Sequence, residues 1–548
     1  MELTTKCRRK SNRLRLLLPG LASAWLTATV DVAIAQVEEV IVTARKLEEN
    51  LQSTPVTVSA FTEQGLRNRG ITNNAEIGLF TPNVVFDTTS SFAGTDTFQA
   101  FIRGVGQSDF ALNTDPGVGV YVDGVYYSRA PGAVINLLDI ERVEVLKGPQ
   151  GTLFGRNSIG GAVNIITREP SDESLAFGEI TYGRFDRVEA RGAVSGGIIE
   201  GVLAGSVAFS ADTRDGYQTR LNFGADTALG GPSDASPTAI PLDQLLVTAD
   251  SAGRDPGAKA GGTVRTKLRW TPNDEFAFTL TADATVRRDA ANPTTLLEVD
   301  PEFSLGGLYN TCVNIPADVL VDLGPAGPPC LSPFLPTSAN ADGSRPDLLF
   351  NEQFIPDDID TSFATGANFA NLTQYGIAGT AQWAINDQLT LKSITAYRQL
   401  RSDFGLDIDS SPVVFDQTTF TIDTDQISQE LQLNWQTGRF DATAGVFYLD
   451  EDGSQVDNVP IAGGLIQVAG GFEHDTRSWA IFGEGNYDIT PTFSLIFGVR
   501  YSEDEKELIL NQQNLNTEFS TLGLDPSLLP RPDQPQFLGP PDPLTQRF

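Results

Sequence analysis

The sequence predicts a mainly β protein, in which a small α+β domain near the N-terminus precedes an antiparallel transmembrane β-barrel. Three observations predict it. Beyond the first 35 residues, no stretch approaches the roughly 20 apolar residues that a membrane helix needs. From residue 176 onward the apolar residues recur with a period of two, which puts them on one face of a strand. The connections between these strands alternate between tight and long, the asymmetry of a bilayer-spanning barrel with short turns on one side.

Residues 1–35 read as an export signal. Lys6, Arg8, Arg9, Lys10, Arg13 and Arg15 precede or open an apolar run from Leu14 to Val30, and Ala33-Ile34-Ala35 supplies a small-residue cleavage site. The whole chain of 548 residues has a formal charge of −32, and removing the six basic and two acidic residues of this leader takes it to −36. With 38 basic against 70 acidic residues, binding to nucleic acid by neutralising phosphates is excluded as a leading function. One histidine, His474, and three cysteines leave no His/Cys metal cage, so no metal site and no resident cofactor are expected. Acidic residues are scattered over loops and His474 falls at a strand start, where a solvated role is expected, so enzyme chemistry is not expected either.

Residues 36–50 follow as a polar tail with a β-prone run, Gln36 to Lys46, that reads either as a strand that adds to another protein's sheet or as the first strand of the next domain. Residues 51–170 read as a glycine-rich domain with strands near 56–59, 83–86, 98–103, 119–122, 140–147 and 161–167. The run from Lys147 to Asn164 resembles a phosphate cradle only superficially, since it lacks the Gly-Lys-Ser/Thr ending and the helix that follows it.

Residues 171–512 form the barrel region, with eleven strands near 176–184, 187–196, 200–212, 263–271, 275–288, 373–385, 388–401, 421–436, 439–451, 475–488 and 492–508. In the fourth, Val264, Thr266, Leu268 and Trp270 face one way and Arg265, Lys267 and Arg269 the other, which implies a wet space behind the charged face. Tight turns fall at 196–199, 272–274, 385–387, 437–438 and 489–491; long loops are expected at 213–262, 289–372, 402–420 and 452–474. Cys312 and Cys330 lie in a Pro- and Gly-rich part of the second loop, and in an oxidising exported compartment a loop-closing disulfide is expected. A reactive thiol pair is the alternative, but it lacks basic neighbours to lower a thiol pKa. Residues 513–548 read as a Pro-rich extracellular loop fragment.

Val37 to Ala44, Phe101-Ile-Arg-Gly-Val-Gly106, Tyr121-Val-Asp-Gly-Val125 and above all Glu141 to Thr167 (ERVEVLKGPQGTLFGRNSIGGAVNIIT) make the chain resemble a TonB-dependent outer-membrane receptor of the siderophore type. The resemblance implies a plug domain inside the barrel, location in the lipid of the Gram-negative outer membrane, and energised uptake of a scarce ligand, most often an iron chelate (ferric siderophore), driven by the inner-membrane partner TonB. It places the TonB box at Glu39, Val40, Ile41, Val42, Thr43 and Ala44. It implies that Arg103 and Arg142 of the plug sit against wall carboxylates, with Glu430 as the candidate partner. Ligand contacts in such receptors come from plug apices, here Ser90–Phe98 and Gln107–Asp115, which gives Phe92, Asp96, Phe98, Asp109 and Phe110 as candidates. The second long loop carries many acidic residues against one basic, Arg345, an argument against capture of a strongly anionic ligand there.

Barrels of this class have about 22 strands around a plugged lumen, whereas about 11 are counted here, so a partial sequence or truncated product is expected. A passive porin or a surface ligand-binding protein such as an adhesin is the competing function, and carbohydrate, haem or cobalamin the competing cargo. A porin has no reason to carry a plug of about 120 residues or a TonB box.

Overall fold

The computed structural model describes residues 40–88, 94, 96–221, 255–299, 306–307, 309–310, 349–364, 366–412, 415–461, 466–490, 492–514 and 544–547. Two short strands, β1 (Ile41–Val42) and β2 (Glu49–Asn50), pair antiparallel at the start of this range. The plug then follows with β3 (Val58–Thr62), helix α1 (Glu63–Arg69), β4 (Val84–Asp87), β5 (Gln99–Ile102), β6 (Val105–Gln107), β7 (Val118–Val122), β8 (Val125–Tyr127), β9 (Ile140–Lys147) and β10 (Gly161–Thr167). Helix α1 starts at Thr62, whose hydroxyl accepts from the Gly65 N–H at 3.3 Å, and stops at Gly70 in the left-handed conformation.

The plug holds a five-stranded sheet in the order β3-β9-β10-β7-β8, in which β10 and β7 run parallel, and a three-stranded sheet β4-β5-β6. Their apolar faces enclose Ile77, Ile102, Val143, Val145, Val163 and Ile165, all fully buried. The glycine-rich run that ends in β10 is shaped by close approach. Gly161 has φ 148°, and a Cβ there would strike the Leu146 carbonyl across the ladder.

The wall is one antiparallel sheet built on β11 (Leu175–Tyr182), β12 (Val188–Ile199) and β13 (Leu203–Arg214). A minor strand, β14 (Thr219–Arg220), leads to β15 (Lys259–Asn273) and β16 (Phe276–Asp289). After a second minor strand, β17 (Thr361–Ser362), come β18 (Phe369–Asn386), β19 (Leu389–Asp407), β20 (Gln417–Gln436), β21 (Phe440–Ile461), β22 (Ile466–Thr490), β23 (Phe493–Asn514) and β24 (Leu544–Arg547). Without β14 and β17, which pair with each other, these form a twelve-stranded sheet in simple sequence order. Eleven of its strands coincide with those read from the sequence. The twelfth, β24, pairs with Glu507–Leu510 inside the stretch expected to be loop.

Two long loops expected from the sequence are shortened by strand. β19 and β20 continue to Asp407 and from Gln417, and β21 and β22 stay paired from Phe440↔Tyr487 to Ile461↔Ile466. The Asp-, Gly- and Gln-rich stretch 451–474 lost its alternation because, at about 3.3 Å per residue, a 22-residue strand reaches far past a bilayer. There the outer face meets water instead of lipid, while the inner face still packs on the plug: Glu451 pairs with Arg129, Gln455 accepts from the Leu112 N–H, and Phe472 joins the apolar cluster around Phe110.

The wall's outer face defines the bilayer. Trp270, Trp383, Trp435, Tyr487 and Phe493 stand exposed beside the tight turns, and Tyr375, Tyr448, Trp479 and Tyr501 form a second exposed row. On three strands the two rows are eight positions apart, Trp383 and Tyr375, Tyr487 and Trp479, Phe493 and Tyr501, and on β21 the half-buried Phe440 stands eight positions from Tyr448. Eight residues at about 3.3 Å, tilted by about 40°, place the rings on either side of a band near the ~25 Å apolar belt of outer-membrane barrels. Ile377, Val446, Ile481, Leu495 and Val499 fill that band and are exposed.

Candidate functional site

The N-terminal segment is fastened at several points. Val42 and Ala44 are buried against Tyr121, Tyr126, Leu146 and Ala162 of the plug. The Thr43 N–H donates to Glu144 Oε1 at 2.7 Å, and Glu144 also accepts from Arg142 Nε at 2.8 Å. Arg45 Nε donates to Glu484 of β22 at 2.6 Å and its Nη1 to Glu49 at 2.8 Å. Lys46, which has φ 60°, forms an ion pair with Glu430 of β20. Burial pushes the Lys46 ammonium below the ordinary lysine range, with Glu430 opposing the fall. Glu39 lies outside the described residues.

These contacts revise the expected pairing of plug and wall. Arg142 pairs with Glu141 and Glu144, both in the plug, because its strand β9 turns it toward the Thr43 hydroxyl rather than outward. Arg103 sits exposed in the β5–β6 turn with φ 54°, and among the described residues no carboxylate lies within 4.0 Å of its guanidinium. The partner of Glu430 is Lys46, which the sequence reading passed over.

Other ion pairs cross the seam. Plug residue Arg129 donates from Nε to Glu451 of β21 at 2.6 Å and contacts His474 of β22, with all three side chains buried. His474 is therefore an interior residue near the middle of a long strand, not a solvated one at a strand start. In the other direction, wall Lys267 reaches plug Asp123 at 3.1 Å and Glu169 at 3.0 Å. The charged face of β15 thus meets plug carboxylates, not the wet space expected, because Arg265 and Lys267 are buried against the plug. Burial alone would raise the Asp123 carboxyl, but Lys267 and the Thr167 hydroxyl hold it below the usual carboxylate range. Asp115 is likewise lowered by Arg156 and Lys506 against the effect of burial.

The five apical candidates separate. Phe98 packs on Phe86 in the plug core, with ring centroids 4.9 Å apart. Phe110 is buried against Phe404 and Phe420 of the wall, at 5.0 and 4.9 Å between centroids, both edge-to-face. Asp96 lies 3.5 Å from Arg287 of β16, which also binds Asp212 and Asp289. Burial raises the Asp96 carboxyl to about 6, Arg287 opposing and Asp289 adding to the rise. Asp109 is exposed and accepts from the Ala111 N–H. Phe92, Cys312 and Cys330 lie outside the described residues. Phe98, Phe110 and Asp96 are thus packing and seam residues, drawn inward by the apolar and cationic groups that face them.

Residues 50–162 match the family model of the TonB-dependent receptor plug domain, and residues 331–523 that of the TonB-dependent receptor-like β-barrel. The chain belongs to the TonB-dependent receptor family. The receptor is 31% identical over 217 residues to the pesticin receptor of Yersinia enterocolitica, a match that takes in 39% of this chain and 30% of the relative. It is 29% identical over 160 residues to the ferripyoverdine receptor of Pseudomonas aeruginosa, covering 29% and 19%, and 28% identical over 208 residues to a vitamin B12 transporter of Photobacterium profundum, covering 37% and 33%. This receptor therefore spans about a third or less of the curated relatives it matches. Its fold is similar to that of the ferric yersiniabactin uptake receptor of Yersinia pestis, with a TM-score of 0.59 and 16% identity over 90% of this chain and 60% of that one. The ferripyoverdine receptor of Pseudomonas aeruginosa follows at 0.56 and 13%, over 87% and 54%.

Seam residues of this receptor that sequence reasoning missed are Lys46, Asp115, Asp123, Arg129, Arg156, Lys267, Glu451 and His474. A signal existed for some of them. Asp123 lies in the Tyr121–Val125 motif, and Arg156 lies in the long glycine-rich run. A Cβ at the neighbouring Gly155, which has φ 82°, would collide with Arg500 of β23. Glu451 and His474 carried no such signal, because Glu451 stood at the expected end of its strand and His474 fell in the stretch read as loop.

Proposed function

We propose that the chain acts in the outer membrane as the ligand-gated entry step of an energised uptake system, with TonB as the partner that draws on residues 39–44 and a ferric siderophore as cargo. The observation that carries this reading is how the N-terminal segment is held. Thr43 is tied to Glu144 inside the plug while Arg45 and Lys46 are tied to the wall, so a pull on this segment loads both bodies at once. A passive porin has no need of such a connection, nor of a plug across its lumen. Strand addition by TonB to Ile41 and Val42 meets a β1 that is already paired along one edge with Glu49 and Asn50. The relative named for ferripyoverdine favours an iron chelate, and the vitamin B12 transporters keep cobalamin as the second cargo.

The test has two parts. The periplasmic domain of TonB is used to capture the solubilised protein, with Val42→Pro as the variant that cannot donate a central strand hydrogen bond. Cells without other receptors are then supplied with a ferric tricatecholate, a ferric trihydroxamate or cyanocobalamin. Capture abolished by Val42→Pro, together with uptake of one probe that is lost in the same variant, is the expected result. Uptake that persists in Val42→Pro would overturn the energised reading.

A further inference from the structure

Between the plug and the tight-turn end of the wall lies a cavity of about 250 Å³. Thr43, Lys46 and Glu48 form part of its lining, so the segment on which a pull would act is one side of the cavity. The opposite side is Thr279, Thr380, Gln382 and Gln432, uncharged polar groups on β16, β18 and β20, whose ladders run unbroken on either side. That side keeps its shape when the segment leaves.

The charges around the cavity are unequal. Lys46 is held by Glu430, Arg142 by Glu141 and Glu144, and Arg269 lies 3.8 Å from Glu169. Lys392 of β19 also lines the cavity, and among the described residues no carboxylate lies within 4.0 Å of its ammonium. In register it stands directly opposite Gln382 on one side and Gln432 on the other. Glu430 is the next inward-facing residue along β20 from Gln432, a diagonal cross-strand position within reach of a lysine side chain. Gln432 already spans that step, since its amide donates to Glu430 at 2.6 Å.

We propose that this cavity is a waypoint on the cargo's route, that Lys392 is its contact for an anionic group such as a carboxylate of the chelate, and that withdrawal of Lys46 hands Lys392 to Glu430 and releases the anion. While Lys46 occupies Glu430, Lys392 has no internal competitor for an incoming anion. Once Lys46 is drawn away, Glu430 is left with a charge in a poorly solvated place, and the cations left to answer it are Arg500 of β23, which already feels its charge, and Lys392, which stands diagonal to it across the ladder. The exchange gives the pull a direction, because the motion that widens the cavity also cancels its hold on the anion. This rests on the uptake reading for its role, but the charge exchange belongs to the resting protein and is measured without transport.

The experiment places a thiol opposite Lys392 with Gln382→Cys in the full chain in detergent, using the unsubstituted chain as the blank for native cysteines. Modification rates are compared for 2-sulfonatoethyl methanethiosulfonate and its trimethylammonium counterpart, each normalised to its rate with free cysteine. The anionic reagent is expected to react about tenfold faster than the cationic one. Adding Lys392→Gln removes the preference. Adding Lys46→Gln, which leaves Glu430 without its partner, also removes it, and a further Glu430→Gln restores it. Unchanged thermal unfolding of each variant shows that the wall is intact. Equal rates for the two reagents, or a preference indifferent to Lys46→Gln, overturn the proposal. TonB capture without an anionic preference would sink this inference alone, whereas the preference without TonB capture would sink the uptake role and leave the anion contact standing.

Discussion

Lys46 and Glu430 join the N-terminal segment to wall strand β20 through one buried ion pair, with the Lys46 ammonium 5.6 and 5.3 Å from the ring centres of Phe154 and Phe482. One ring belongs to the plug and the other to the wall, so the lysine is gripped by both. Its backbone is in the left-handed region, where a residue with a Cβ is held only by its surroundings.

Glu430→Gln leaves that ammonium buried without a counter-charge, a change that costs about 3–5 kcal/mol when a buried pair loses one member. The segment can escape this cost by leaving its site, so release rather than global unfolding is the expected outcome. Trypsin cleavage after Arg45 and Lys46, followed by mass spectrometry, should accelerate at least tenfold, and the charge swap Lys46→Glu with Glu430→Lys should slow it again. Equal cleavage rates in all three proteins would show that the pair does not hold the segment.

The Asp96 carboxyl makes plug docking depend on pH. Burial lifts it to about 6, above the ordinary carboxylate value of 3.8, so in that interval the folded protein holds a proton that the unfolded chain has released. Stability from this group is therefore complete below the interval, falls as pH rises through it, and is level above about 6. Asp96→Asn should flatten this part of the profile and raise the unfolding temperature at neutral pH. Thermal unfolding in detergent between about pH 4 and pH 8 checks it, and an unchanged slope in the variant would refute it.

Arg129→Met should loosen the plug. Glu451 is 1% exposed and loses its cation, at a cost of about 3–5 kcal/mol. Adding Glu451→Leu removes the stranded charge and should recover most of the loss, because the partners of one network are not additive. The urea midpoint of plug release, followed by hydrogen exchange in β7 to β10, reports both effects.

Phe110→Ala removes a ring from between Phe404 and Phe420, and buried Phe→Ala changes typically cost 3–5 kcal/mol, here spent on the apex alone. Hydrogen exchange over Ser108–Asp115 should rise sharply in this variant and stay near the native rate in Asp109→Ala, whose side chain is exposed. If Asp109→Ala instead abolishes ligand binding while exchange is unchanged, the exposed residue and not the ring is the ligand contact.

The strands of the wall were legible because the bilayer imposes alternation on them, and the plug strands because short β-branched runs alternate with glycine turns. Strand ends were not legible where the wall rises past the lipid. There Asp452, Gly453 and Ser454 look like loop residues, yet all three are paired across to β22. The position of the N-terminal segment was readable as a motif, but its fastening was not. Lys46 meets Glu430 across 384 positions of sequence, and Arg129 meets Glu451 across 322. No local pattern marks such a pair. Charge on an inward face was readable as such, but whether water or an opposite charge stood behind it depended on the plug, which the strand pattern does not contain.

The two exposed aromatic rows also act as a ruler. Because their eight-residue separation recurs on β18, β21, β22 and β23, it cannot be adjusted by one strand slipping without breaking the register of its neighbours. Tilting, the usual escape of a single helix from hydrophobic mismatch, is not open to strands fixed in a sheet. A thicker host membrane must therefore thin around the protein, and micelles of short-chain detergents should hold it better than those of long-chain ones.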